Sequence, residues 1–239
     1  MQITHRDDRL YGSIGLFRPS IGLLRKHALM VLWLSMAPAL LVGLGGFVRG
    51  DFGSQTVDVR LDAQTVTGIT LQAIGLLWLL AAYPGYIRAR LAAVRDMPES
   101  TWHSFRSGLG RLPSWLVTYI VVTCLVLAGG VLLIIPGLIV YRRLFLTSYY
   151  MIDGNMGPLA AVRLCFAASN SFASHVRGVV VVVTVLAIGA AAVGRVGIGG
   201  YIFGLCLIYM YTFAPAIRFV EIKKYAKPGQ RQPFTLLPS

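Results

Sequence analysis

The sequence predicts an all-α, polytopic integral membrane bundle of about six transmembrane helices with interfacial amphipathic helices. Three observations lead there. Uncharged apolar runs long enough to cross a bilayer recur along the chain, basic residues collect in alternate connections between those runs, and short amphipathic stretches ending in a basic residue stand directly before several of them. The 239 residues are 56% hydrophobic and 13% charged, with a mean hydropathy of +0.69, whereas a soluble domain carries roughly 25% charged residues. The net charge of +13 would suggest nucleic acid for a soluble chain. Here the basic residues lie between apolar runs, which reads as membrane orientation and contact with anionic headgroups, with no nucleic acid partner.

A hydrocarbon core about 30 Å thick takes roughly 20 apolar residues per helix. The first run, 28–48, is uncharged. Asp7, Asp8 and five basic residues precede it, which reads as a retained span in place of a cleaved leader. The second span, 66–87, closes at Pro84-Gly85. The uncharged run from Leu112 to Tyr141 is too long for one crossing, and Pro136-Gly137 divides it into spans 112–135 and 137–152 with a helix break at that pair. A valine-rich run gives 178–194, and 196–217 completes a single membrane domain, 1–217, followed by a basic tail, 218–239.

The fourth span carries Arg142 and Arg143, and charge placement decides whether it crosses. With it, nineteen basic residues fall on one side and three, Arg49, Arg60 and Arg195, on the other. Without it the sides hold eleven each. Six crossings with both termini cytoplasmic follow. Three connections share a form: Leu10, Ile14, Phe17, Ile21 and Leu24 before Arg25-Lys26; Trp102, Phe105, Leu109 and Leu112 around Arg111; Leu159, Val162, Phe166 and Ala173 before Arg177. A weak threefold repeat of interfacial helix plus hairpin is expected, although Pro19, Gly108 and Gly110 interrupt the first two stretches. Pro158 suits the start of the third.

The stretch Ile134-Ile135-Pro136-Gly137-Leu138-Ile139-Val140-Tyr141-Arg142-Arg143-Leu144, then Tyr149-Tyr150-Met151-Ile152-Asp153 and the alanine-rich segment from Pro158 to Ser174, resembles a bacterial inner-membrane superfamily. That group includes YciC-like proteins and the membrane domain attached to some glycerophosphodiester phosphodiesterases. The resemblance implies location in the bacterial cytoplasmic membrane and a repeat-like six-span layout. It brings no catalytic residues, because no soluble phosphodiesterase segment is present.

A charge at membrane depth costs at least about 2.5 kcal/mol, so Arg142 and Arg143 require compensation. Together with Arg163 and Arg177 they are candidates for binding an anion or a lipid headgroup; the alternative is that they snorkel or lock neighbouring helices. Asp153 is too far along a helix to pair with Arg142 and reads as part of the Asp153-Gly154-Asn155 turn. Tyr149, Tyr150, Trp102 and Trp115 read as an interfacial aromatic belt. Gly200 and Gly204 form a G-x-x-x-G suited to helix packing, within the chain or with a partner. His5, His27, His103 and His175 lack metal-site spacing, Cys124, Cys165 and Cys206 form no Cys-x-x-Cys, and no cofactor site is read. Serines such as Ser35 and Ser148 lack a paired His and acid. Two functions remain. The first is a non-enzymatic accessory or scaffold protein that holds a membrane complex or its anionic lipids, with a protein partner or a second copy. The second is a permease or channel for a small anion at the arginine pair.

Overall fold

The computed structural model describes residues 12–49, 63–97, 99–132, 134–171 and 173–225, and every regular element among them is helical. A 3-10 turn, Ile14–Leu16, leads into α1 (Phe17–Lys26), with Pro19 in its first turn, where a missing N–H costs nothing. The first membrane rod, Ala28–Arg49, consists of α2 (Ala28–Val31), a π-helical turn (Leu32–Met36) and α3 (Ala37–Arg49). The widened turn sits where the ring of Pro38 would meet the Leu34 carbonyl, so the proline is absorbed without ending the rod.

The second rod, α4 (Ala63–Val94), passes straight through Pro84-Gly85, where the sequence predicted its end at residue 87. One proline removes a single donor, and this one is packed on all sides: Pro84, Gly85, Tyr86 and Ile87 are buried. Next come α5 (Thr101–Leu109), α6 (Leu112–Leu132), α7 (Ile134–Leu144), α8 (Thr147–Gly154), α9 (Pro158–Ser171), α10 (Ala173–Gly194), α11 (Ile198–Met210) and α12 (Ala214–Tyr225).

The long apolar run is divided as expected: α6 ends at Leu132, four residues before Pro136, and Pro136-Gly137 lies in the first turn of α7, where proline is tolerated. The return limb is interrupted again at Phe145-Leu146. A continuous helix sets residues two apart on nearly opposite sides, so the interruption allows both Leu144 and Leu146 to be buried. The final rod is interrupted at residues 211–213. Residues 218–225, read as the start of the basic tail, continue as helix and bury Arg218, Phe219 and Ile222; 226–239 lie outside the described residues.

Among the described residues, five helices are long and apolar enough to cross a membrane: Ala28–Arg49, Ala63–Val94, Leu112–Val131, Val176–Gly194 and Ile198–Lys224. Each of α7 and α8 is too short alone, but end to end they cover roughly 30 Å at about 1.5 Å per residue. They run back along α6. A Cβ on Gly137 would lie 2.8 Å from Gly130, Thr118 Oγ1 is 3.1 Å from the Met151 sulfur, and Arg111 Nη1 donates to the Ile152 carbonyl at 2.5 Å. The start of the described chain packs on the interruption between α11 and α12: Tyr211 Oη donates to the Ser13 carbonyl at 2.6 Å and the Phe213 N–H donates to Ser20 Oγ at 3.2 Å.

The repeat is visible as three units, each an interfacial helix followed by an antiparallel hairpin: α1 with α2–α3/α4, α5 with α6/α7–α8, and α9 with α10/α11–α12. The buried core lies at the end where the interfacial helices gather, around Leu16, Ile87, Leu91, Phe213 and Phe219. Toward the other end the hairpins expose Val66, Leu77, Leu127, Val131, Val185 and Ile188, a surface suited to hydrocarbon.

Glycines set the hairpin spacing. A Cβ on Gly204 would stand 2.9 Å from the Ala190 carbonyl oxygen and one on Gly200 would meet the Val193 carbonyl, so the G-x-x-x-G packs α11 on α10 within the chain. Gly204→Ala is expected to cost about 1–2 kcal/mol by overpacking. Gly189→Ala, whose methyl meets nothing within 4 Å, should not. Equal melting temperatures for the two variants in one detergent would show that this spacing is not tight.

Candidate functional site

Arg142 and Arg143 occupy the last turn of α7, half-buried. The Arg143 guanidinium lies 4.5 Å over the Phe166 ring of α9, and its carbonyl accepts the Cys165 thiol at 3.1 Å. Arg142 has no ion pair, hydrogen bond or ring contact among the described residues. Arg163 and Arg177 are exposed on α9 and α10. The cavity beside Arg143, lined by Leu146, Tyr150, Cys165 and Ile222, measures about 10 Å³, at or below the room one water needs. Burial pushes the Cys165 thiol up to about 11, so it stays protonated.

A basic residue more deeply buried than Arg142 or Arg143 is one that charge counting places in a connection. Arg90 stands in the last turns of α4, buried, one turn beyond Tyr86, whose ring lies 4.3 Å beneath its guanidinium; the Tyr149 ring of α8 is 5.5 Å away. Its Nη1 donates to the Thr212 carbonyl at 2.8 Å, a group left without an intrahelical partner by the interruption between α11 and α12. Tyr86 Oη and Thr212 Oγ1 share a hydrogen bond of 2.6 Å, as Ser35 Oγ and Tyr209 Oη do at 2.7 Å. Arg90 thus touches all three repeat units. The legible signal was the i, i+4 pair Tyr86 and Arg90, hidden by ending the span at residue 87. Arg218, also buried, donates to Glu221 Oε2 at 2.8 Å.

Around this centre the four carboxylates of the described residues are all engaged in ion pairs. Lys26 meets Asp96 at 2.8 Å, Arg88 meets Glu99 at 2.6 Å, Arg218 holds Glu221, and Asp153 receives both Arg95 and Lys223 at 2.5 Å. Asp153 closes α8 and joins the ends of the three units. Burial alone would raise its pKa, but the hydrogen bonds from Arg95 and Lys223 hold it below the ordinary carboxylate value. Asp96 is also held low, by its hydrogen bond to Lys26 and that residue's charge. His27 is lowered by burial and by Lys26, so it is neutral at pH 7. Asp153 does not pair with Arg142, in keeping with the spacing argument, and the left-handed residue of its turn is Asn155, φ 49°.

The aromatic belt needs correction. Trp102 is 61% exposed, but Trp115 is 4% exposed between Tyr83 and Tyr119, with centroids at 5.1 and 5.4 Å, and Tyr149 and Tyr150 pack on Phe219. These rings face inward because interfacial helices cover the spans there. Trp33, Trp78 and Phe105 join Trp102 instead.

With the acids consumed, the interfacial helices and the start of α10 present Arg18, Arg25, Arg106, Arg163 and Arg177 exposed. Exposed guanidinium groups of this kind can hold phosphate esters and do not by themselves make or break bonds. Comparison with family models, with curated proteins and with solved structures finds no match to this chain.

Proposed function

We propose that this chain is a non-enzymatic accessory protein of the bacterial inner membrane, with both termini in the cytoplasm, which holds anionic lipid at its basic end and so anchors or stabilises a membrane complex. One observation carries the reading: every described carboxylate is engaged in an ion pair, while five arginines on or beside the interfacial helices remain exposed. Uncompensated cations at the rim of a membrane protein attract anionic headgroups by about 1 kcal/mol each. The excess of basic residues at this end supports a cytoplasmic orientation, and the resemblance of residues 134–174 to YciC-like proteins supports the bacterial membrane. A protein partner or a second copy would then dock on a lipid-bound base.

Reconstitution into phosphatidylcholine vesicles with and without phosphatidylglycerol tests this. Anionic lipid should raise the melting temperature, and high salt should reduce the gain. The triple variant Arg18→Gln, Arg106→Gln, Arg163→Gln should forfeit about 3 kcal/mol of that lipid interaction. Equal stability in both vesicles would defeat the reading. The competing function, a small-anion permease, draws on Arg142 and Arg143, but the cavity beside Arg143 leaves an anion no room. Chloride or phosphate flux into proteoliposomes that is lost in Arg142→Ala would favour it.

A further inference from the structure

We infer that the open groove between α6, α7 and α10 seats an acyl chain of an anionic phospholipid whose phosphate is bound by Arg142. This rests on the proposed role of the basic end in holding anionic lipid and names one site for it. The groove holds about 730 Å³, within the size range of ligand sites, and is lined by Val126, Gly130, Leu138, Tyr141, Val183 and Ala187. Along α10 it extends from Val183 to Ala191, about 12 Å at the rise of an α-helix. It opens sideways on the apolar face where the spans expose Leu127, Val131 and Ile188, so an occupant enters from the hydrocarbon.

The position of Arg142 selects the occupant. Leu138 lines the groove, and Arg142 follows it at i+4, one turn nearer the basic end on the same face of α7. Arg142 is half-buried, and no carboxylate, carbonyl or aromatic ring of the described residues meets it. A charge at that depth calls for a counter-charge. A second copy of the chain offers no free acid among the described residues, because those carboxylates are already held. An anionic phospholipid supplies both parts, a chain for the groove and a phosphate one turn below it.

Gly130 provides a probe, because a Cβ there meets nothing within 4 Å. Leucine at that position therefore has room at the groove wall and no backbone to strike. In native mass spectrometry of detergent-purified full-length protein, titrated with phosphatidylglycerol or phosphatidylcholine of matched chains, one phosphatidylglycerol should bind about tenfold more tightly. Arg142→Gln should erase the preference and Arg142→Lys should largely keep it. Gly130→Leu should weaken both lipids, and Arg195→Gln should change nothing. Melting curves and helical circular dichroism check that each variant is folded.

The site is overturned if Arg142→Gln retains the preference, or if Gly130→Leu leaves phosphatidylglycerol binding unchanged. It is also overturned if inorganic phosphate displaces the lipid at comparable concentration, which would mark a free-anion site, or if Gly130→Leu dissociates a dimer. Loss of the preference in the unmodified protein would sink the basic-end reading itself. Retention of the preference in Arg142→Gln sinks only the groove.

Discussion

Gly108→Leu is expected to destabilise the protein by about 3 kcal/mol, the upper part of the range for overpacking. The interfacial α5 touches α4 backbone to backbone. A Cβ on Gly108 would fall on the nitrogen and Cα of Gly85, and one on Gly85 would lie 2.7 Å from the Ser104 carbonyl and 2.8 Å from the Phe105 Cα. None of these atoms is the free end of a side chain, so the helices must separate. Separation would break Arg88–Glu99 and the 2.5 Å bond from Arg88 to Ser107, and would pull Phe105 from Trp33, whose ring centroids are 5.2 Å apart. The variant should therefore melt earlier and show red-shifted tryptophan emission. Gly110→Leu is the control, since the nearest atom to its Cβ is the Ser107 carbonyl at 3.7 Å. If both variants melt together, α5 is not held by this contact.

The same pair shows where sequence reasoning succeeds. Apolar run length identified the membrane rods, because hydrocarbon thickness leaves few alternatives. Amphipathic spacing before each hairpin found the three units, and in the third Pro158 does open α9. Proline and glycine were the unreliable marks. Pro84-Gly85 and Pro136-Gly137 look alike on paper, yet the first lies inside a continuous helix held by surrounding elements, while the second lies in the first turn of α7, four residues after α6 ends at Leu132. The interruption at Phe145-Leu146 carries no breaker residue, whereas the one at 211–213 is followed by Pro215 in the first turn of α12, which has no N–H to give the Tyr211 carbonyl.

The site was partly legible. Arg142 and Arg143 stood out because charge within an apolar run is costly wherever it occurs. Their different surroundings were invisible, because Phe166 comes from another unit and reaches Arg143 alone. Arg90 was hidden for the opposite reason, since a residue assigned to a loop has no depth from which to infer a cost. Asp153 was placed correctly away from Arg142, but its partners, Arg95 and Lys223, are distant in sequence and are brought to it by the assembly of three repeats.

That convergence gives the second large effect. Asp153→Asn keeps the shape of the side chain and removes its charge, leaving Arg95 and Lys223 facing a neutral amide. Hydrogen bonds to charged groups contribute about 1.5–3 kcal/mol each. Lys223 is 44% exposed and its share is discounted by solvent, while the carboxylate is only 7% exposed, so the loss should be about 2–3 kcal/mol at pH 7. The pH dependence separates this charge effect from simple repacking. With the folded carboxyl held below its unfolded value near 3.9, its contribution is complete above that value and disappears as pH falls through the folded one. The Lys26–Asp96 pair weakens over the same acid range, but equally in both proteins. The stability gap between the unmodified protein and Asp153→Asn should therefore be constant from pH 7 to about 5 and narrow progressively below about pH 4. A gap that keeps its full neutral-pH size as the pH falls below the unfolded carboxyl value would assign the loss to packing at the end of α8 and remove Asp153 as the charge that ties the three units together.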